Sequence, residues 1–258
     1  MTDDILLRHD AGPVTTLTLN APASLNALST AMLTRLAAEL TTIAASTQRV
    51  VILRAVGKAF SAGHDLKEIQ ALRTQPDQGR AAFTHLFTLC ADVMQQIAHL
   101  PQPVIAQVHA IAAAAGCQLV ASCDMVVAAD TARFGINGVN IGLYCHTPLV
   151  ALSQKIPRAH AVGLASTGNF LTVYEAQALG LVTRITSPGN MDGAGLELAQ
   201  TLAQKLPSAL AAGKRAAAPD LAAAYTKATD AMVDNLLNPD TDEGISAFLA
   251  KRPPAWAV

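Results

Sequence analysis

Between Pro103 and Ala129 the chain reads PVIAQVHAIAAAAGCQLVASCDMVVAA, and its one formal charge is Asp124. Val104–Val108 and Met125–Ala129 are short apolar runs of strand character. The alanine-rich stretch between them, 110–122, predicts a helix that is apolar on nearly every face. Such a helix has no polar side to show to water, so it belongs at the centre of a domain. A buried helix between two buried strands makes the fold class α/β with parallel pairing.

The surrounding sequence is consistent with this. Val14–Leu19 alternates threonine with apolar residues, as a half-buried strand does, and 20–24 is a turn containing Pro22. Ser29 or Thr30 caps a helix whose apolar stripe is Met32, Leu33, Leu36, Leu40 and Ile43. Strand 50–56 follows, then a loop, 59–67, feeding a helix at Asp65. Helical pattern continues to about Leu100, interrupted at 75–79. One more strand is expected near 181–185. Beyond Gly189 the pattern is helical, at 191–206, 208–237 with breaks, and 242–250. The expected division is a mixed body over 1–190 and a helical region over 191–258.

Composition narrows the function. Eighteen Lys+Arg against nineteen Asp+Glu leave a net charge of −1, with no basic field for nucleic acid or an anionic membrane. No apolar run is long enough to span a bilayer, and the start, MTDDILLRHD, has no hydrophobic signal core. The four cysteines have no CxxC or zinc spacing, so the expected compartment is the reducing cytoplasm. The chain has no GxGxxG after a strand, no P-loop, no GxSxG and no HExxH, and its histidines are scattered away from metal-ligand spacings. No metal or resident cofactor is expected.

Four segments carry a resemblance: NAPASLNALSTAMLTRLAAEL (20–40), AFSAGHDLKEI (59–69), the central stretch 103–143, and LTVYEAQALGLV (171–182) with the ending FLAKRPPAW (248–256). In this order they resemble the crotonase superfamily of enoyl-CoA hydratases and isomerases. The resemblance extends to its enoyl-CoA hydratase domain-containing group, which shares AAGCQLVASCD and a GL-x-Cys-x-Thr-Pro loop. It implies a spiral of ββα turns followed by helices that assemble homotrimers or hexamers. The implied ligand is an acyl-CoA thioester of fatty acid metabolism, with coenzyme A present only as part of the substrate. By the same resemblance, the main-chain N–H groups of His64 and Ala115 form an oxyanion hole for the thioester carbonyl. Ser24, Leu25, Ala27, Ala62, Asp65 and Leu66 then border the coenzyme, Lys58 and Lys67 lie near its phosphates, and Phe248 and Lys251 cover its adenine end.

The chain departs from the family's hydratases where they carry two water-holding glutamates. Those slots are Gln118 and Gly138. An amide cannot exchange a proton near neutral pH and glycine has no side chain, so ordinary hydration should be weak or absent. Restoring both acids is expected to raise hydration. Ala114 and Ala115 also replace two glycines of the family's run. Tyr144, Cys145 and His146 are the candidates to face the acyl group in their place. The leading expectation is thus an acyl-CoA lyase or isomerase working through a backbone oxyanion hole. The alternatives are a decarboxylase or thioesterase of the same superfamily, or a non-catalytic binder of CoA thioesters.

Overall fold

The computed structural model describes residues 4–256. The chain opens with an antiparallel pair, β1 (Leu6–Ala11) and β2 (Val14–Leu19). Helix α1 (Thr30–Ala44) is capped by the Ser29 hydroxyl, which accepts from the Met32 N–H, and it buries the five residues of the predicted stripe. Next come β3 (Val50–Ala55), β4 (Ala59–Ser61), α2 (Leu66–Leu72) and α3 (Arg80–His99). Asp65 caps α2, its carboxylate accepting from the N–H groups of Lys67 and Glu68.

The central stretch resolves into β5 (Val104–Val108), β6 (Ile111–Ala113), α4 (Ala115–Ser122) and β7 (Met125–Ala129). The predicted single helix over 110–122 is therefore corrected. Ile111–Ala113 pairs with β4 on one side and with β8 (Arg133–Gly135) on the other. Those long-range ladders outweigh the helix propensity of alanine. Ala114, at φ 48° and ψ −121°, turns the chain from strand to helix in a region that residues with a Cβ rarely occupy. Helices α5 (His146–Leu152) and α6 (Arg158–Thr167) follow, then β9 (Phe170–Thr172), α7 (Val173–Ala178) and β10 (Arg184–Thr186). The chain ends in α8 (Met191–Ala203), α9 (Pro207–Ala217), α10 (Ala222–Leu236) and α11 (Pro239–Leu249).

Two sheets result. One has the order β1-β2-β3-β5-β7-β10 and is parallel beyond its first pair; the other is β4-β6-β8-β9. The chain steps from the first sheet to the second at β3–β4, β5–β6 and β7–β8, which is the expected ββα winding. Helix α8 covers one face of the larger sheet, packing Ala194, Ala199 and Ala203 on Val14, Val50, Ile52, Ile105 and Val127. The main core lies on the other side, around Leu33, Phe60, Phe83, Phe87, Leu119 and Phe134. Among the described residues no helix is long and apolar enough to cross a membrane.

One buried side chain holds the turn after β2. Asn26 is fully buried, accepts from the Ala21 N–H (2.9 Å), and donates to the carbonyls of Val56 (2.7 Å) and Ala59 (2.9 Å). It also sits at φ 53°. Asn26→Ala is expected to cost about 3 kcal/mol, because one buried and two part-buried main-chain groups lose this partner and alanine tolerates this backbone poorly. Asn26→Gly relieves only the backbone part. Urea unfolding of both variants checks this, and a loss under about 1 kcal/mol for alanine would contradict it.

Candidate active site

The segments 61–66 and 113–118 meet where β4 and β6 lie side by side. Gly63 has φ +94°, and a Cβ there would stand 2.9 Å from Ala114 Cβ and 3.2 Å from the Ala115 nitrogen. Only glycine lets the two backbones come this close.

The direction of two N–H groups follows from what holds the opposite end of each peptide. The Leu28 N–H donates to the Gly63 carbonyl at 2.7 Å, and in a trans peptide this aims the His64 N–H the other way. The Ala114 carbonyl accepts from the Gln118 N–H (3.1 Å), so the Ala115 N–H points out of the N-terminus of α4. Neither the His64 N–H nor the Ala115 N–H has an acceptor among the described residues. The structure thus brings two fixed, unpaired main-chain donors together at a helix N-terminus, where the dipole favours negative charge.

The His64 ring is held from the same loop. Its Nδ1 lies 3.0 Å from the Leu28 carbonyl, which can only accept, so Nδ1 carries the hydrogen and Nε2 is a bare lone pair. Nε2 is sealed from solvent and has no partner among the described residues, although the residue as a whole is half-buried. The ring stands edge-on to Phe87 at 5.2 Å. Burial pushes its pKa down to about 4, against a smaller opposing effect of the Leu28 bond, so the ring is neutral at ordinary pH.

The two slots expected to lack acids behave differently. Gln118 is fully buried; its carbonyl accepts from the Thr147 hydroxyl at 3.4 Å and its amide nitrogen has no partner among the described residues. Gly138 is closed. A Cβ there would overlap the Leu143 carbonyl oxygen and lie 2.9 Å from Cys145 Sγ. The expectation that acids at both slots restore hydration is therefore corrected, because no side chain fits at 138.

The loop candidates are also placed. Cys145 is buried, its Sγ accepts from the Gly138 N–H (3.3 Å), and burial pushes the thiol up to about 11. It is no ready nucleophile. Tyr144 is tied through its N–H to Asn235 (2.7 Å), and its ring meets His146 edge-on at 5.0 Å. The half-buried His146 ring contacts the Tyr144 carbonyl at 2.9 Å, and burial lowers its pKa.

Among the residues expected near a coenzyme, Ser24, Leu25, Lys58, Ala62, Lys67, Phe248 and Lys251 are exposed, Asp65 and Leu66 half-buried, and Ala27 buried. The Ala62 N–H donates to the Leu25 carbonyl (3.0 Å), which joins the 24–28 turn to the 62–66 loop. Helix α11 is brought beside α2 by Gln70, which donates to Asp242 and Ser246, each at 2.9 Å. Phe248 and Lys251 thus lie at the end of a helix docked on the one that carries Lys67.

Sequence reasoning missed Tyr225. It is buried on α10, with its phenol near Gln118 and Ser122 and pushed up to about 12 mainly by burial. Its only signal was its place on a helical stripe with Ala228, Thr229, Met232 and Val233. Tyr225 also lines a cavity of about 310 Å³ at the far end of α4, with Ser122, Asp124, Lys155 and Lys214. The Lys214 ammonium there is paired to Asp124 at 2.6 Å. This cavity is separate from the two N–H groups.

A ββα spiral with paired main-chain donors at the head of its central helix defines a crotonase-type protein. The enoyl-CoA hydratase/isomerase family model matches residues 10–258, and the chain belongs to that family. It is 41% identical over 244 residues to the mitochondrial enoyl-CoA hydratase domain-containing protein 3 of Rattus norvegicus, covering 93% of this chain and 80% of the relative. It is 34% identical to the 2,3-dehydroadipyl-CoA hydratase of Escherichia coli, covering 92% of each. The crystal structure of an enoyl-CoA hydratase from Mycobacterium smegmatis matches with TM-score 0.79 and 45% identity, over 98% of this chain and 99% of that one. The expectation of a cytoplasmic protein is overturned by the relatives from rat, mouse and human, all named as mitochondrial. Unpaired cysteines argue for reducing surroundings, and such surroundings do not single out the cytoplasm.

Proposed function

We propose that this protein binds an acyl-CoA thioester, holds its carbonyl oxygen between the N–H groups of His64 and Ala115, and stabilises the enolate formed there. The observation that carries this reading is the pair of unpaired donors, each fixed by a hydrogen bond at the far end of its own peptide. Donors set in place before the reaction need no reorganisation as charge develops, and one is worth about 2.7–4 kcal/mol. Coenzyme A enters only as part of the substrate, along the 24–28 turn, Ala62, Asp65 and Leu66, with Lys58, Lys67, Phe248 and Lys251 at its phosphate and adenine end. Assembly as a trimer or a dimer of trimers belongs to the same reading.

Ordinary hydration is not the reaction. Gln118 cannot transfer a proton, and the second slot admits no side chain. Titration with butyryl-CoA and crotonyl-CoA, followed by mass spectrometry of the products, tests this. Both esters should bind saturably, with crotonyl-CoA hydration roughly 100-fold or more below that of a relative carrying both acids. Failure of either ester to bind would end the acyl-CoA reading, and hydration at the relative's rate would end its mechanistic half.

A further inference from the structure

The face of α4 that starts at the Ala115 donor runs into packed side chains and then into a cavity. Ala115, Gln118 and Ser122 are spaced three and four residues apart, so they line one face of the helix. Gln118 leans back toward the N-terminus, as helical side chains do. Its carbonyl accepts from the Thr147 hydroxyl of α5, which also lies against the Met232 sulfur of α10, each contact at 3.4 Å. The Tyr225 phenol, also from α10, stands beside both Gln118 and Ser122. Gln118, Thr147, Tyr225 and Met232 are all buried. Past Tyr225 comes the cavity of about 310 Å³, whose lining includes the apolar side chains of Met94, Ala121, Ala151 and Leu221.

We propose that Tyr225 is the specificity residue for acyl length: its ring is the partition between the paired N–H groups and this cavity, and it restricts the protein to short acyl groups. The inference rests on the acyl-CoA reading above. With the thioester oxygen between the N–H groups of His64 and Ala115, the coenzyme lies on the side of the 24–28 turn and the 62–66 loop. The acyl chain leaves on the other side, along α4. A butyryl group ends near Gln118. A longer chain must pass Tyr225, because α3 and α5 pack on α4 and α10 lies across both. From Ala115 to Ser122 the helix rises about 10 Å, at about 1.5 Å per residue, which is the reach of an extended octanoyl chain. Close packing leaves the ring no room to step aside, so the chain and the phenol compete for one volume. Remove the ring, and the site and the cavity become one apolar-walled channel.

The probes are butyryl-CoA and octanoyl-CoA, titrated by calorimetry into the wild-type chain and three variants whose folding is checked by circular dichroism. Wild type should bind octanoyl-CoA roughly 30-fold or more weakly than butyryl-CoA. Tyr225→Ala should bring octanoyl-CoA to within about threefold of butyryl-CoA, or tighter, since the added methylenes then enter apolar space. Tyr225→Leu, shorter than the ring yet apolar, should act in the same direction with a smaller loss of packing. Tyr225→Phe keeps the ring and should stay as selective as wild type. Wild type that binds both esters equally well would overturn the proposal without recourse to any variant. So would a folded alanine or leucine variant with no gain for octanoyl-CoA, or a phenylalanine variant as permissive as alanine. In each of those cases butyryl-CoA still binds and the acyl-CoA reading stands. Wild type that binds neither ester would remove both.

Discussion

Gly138→Ala is expected to lower stability by about 3 kcal/mol, and Gly138→Glu to leave little folded protein. The added carbon would run into the Leu143 carbonyl and crowd the Cys145 sulfur, 2.9 Å away. The sulfur can shift by rotating, but the carbonyl belongs to the turn that starts α5, and the Leu143 N–H is itself bonded to the Gly138 carbonyl (3.0 Å). Moving one strand of this turn therefore moves the other. Urea unfolding of Gly138→Ala reads the cost directly. A variant as stable as the parent would mean that the slot is open, and would reinstate the two-acid route to hydration.

Acidification from pH 7 to pH 4 is expected to cost about 3 kcal/mol of stability through His64 alone. The folded ring resists protonation down to a pKa of about 4, whereas an unfolded histidine takes a proton near its ordinary 6.5. Between those values the unfolded chain binds the extra proton, so stability falls as pH drops. The loss begins near pH 6.5 and is complete below about 4. His146 shifts in the same direction from a less buried position, and carboxylates such as Asp10 add to the acid loss. The informative quantity is therefore the difference between wild type and His64→Phe, measured by urea unfolding across this range. The phenylalanine keeps an aromatic ring against Phe87 and has nothing to titrate. Parallel stability curves would show that the ring is solvated in the native state, and would remove the premise of a sealed Nε2.

These two residues show how differently the parts of the site could be read. The position of His64 in AFSAGHDLK marked its main chain, because the loop and the helix cap at Asp65 are local features. The state of its ring depends on Leu28 and Phe87, 36 residues before and 23 after in the sequence. Gly138 was legible as a missing acid, but its closure depends on a turn that folds back from Leu143 and Cys145.

The long periodic elements and the apolar central helix were legible from residue order alone. The stripe of α1, the caps at Ser29 and Asp65, and strands 14–19, 104–108 and 125–129 all follow from spacing and caps within a few residues. The second sheet, by contrast, arises from long-range pairing. Its strands β4, β6, β8 and β9 are three residues each, too short to show a period, and they exist because distant segments pair with one another. That pairing turns the chain at Ala114, brings Gly63 against it, and aims two peptide N–H groups into one space.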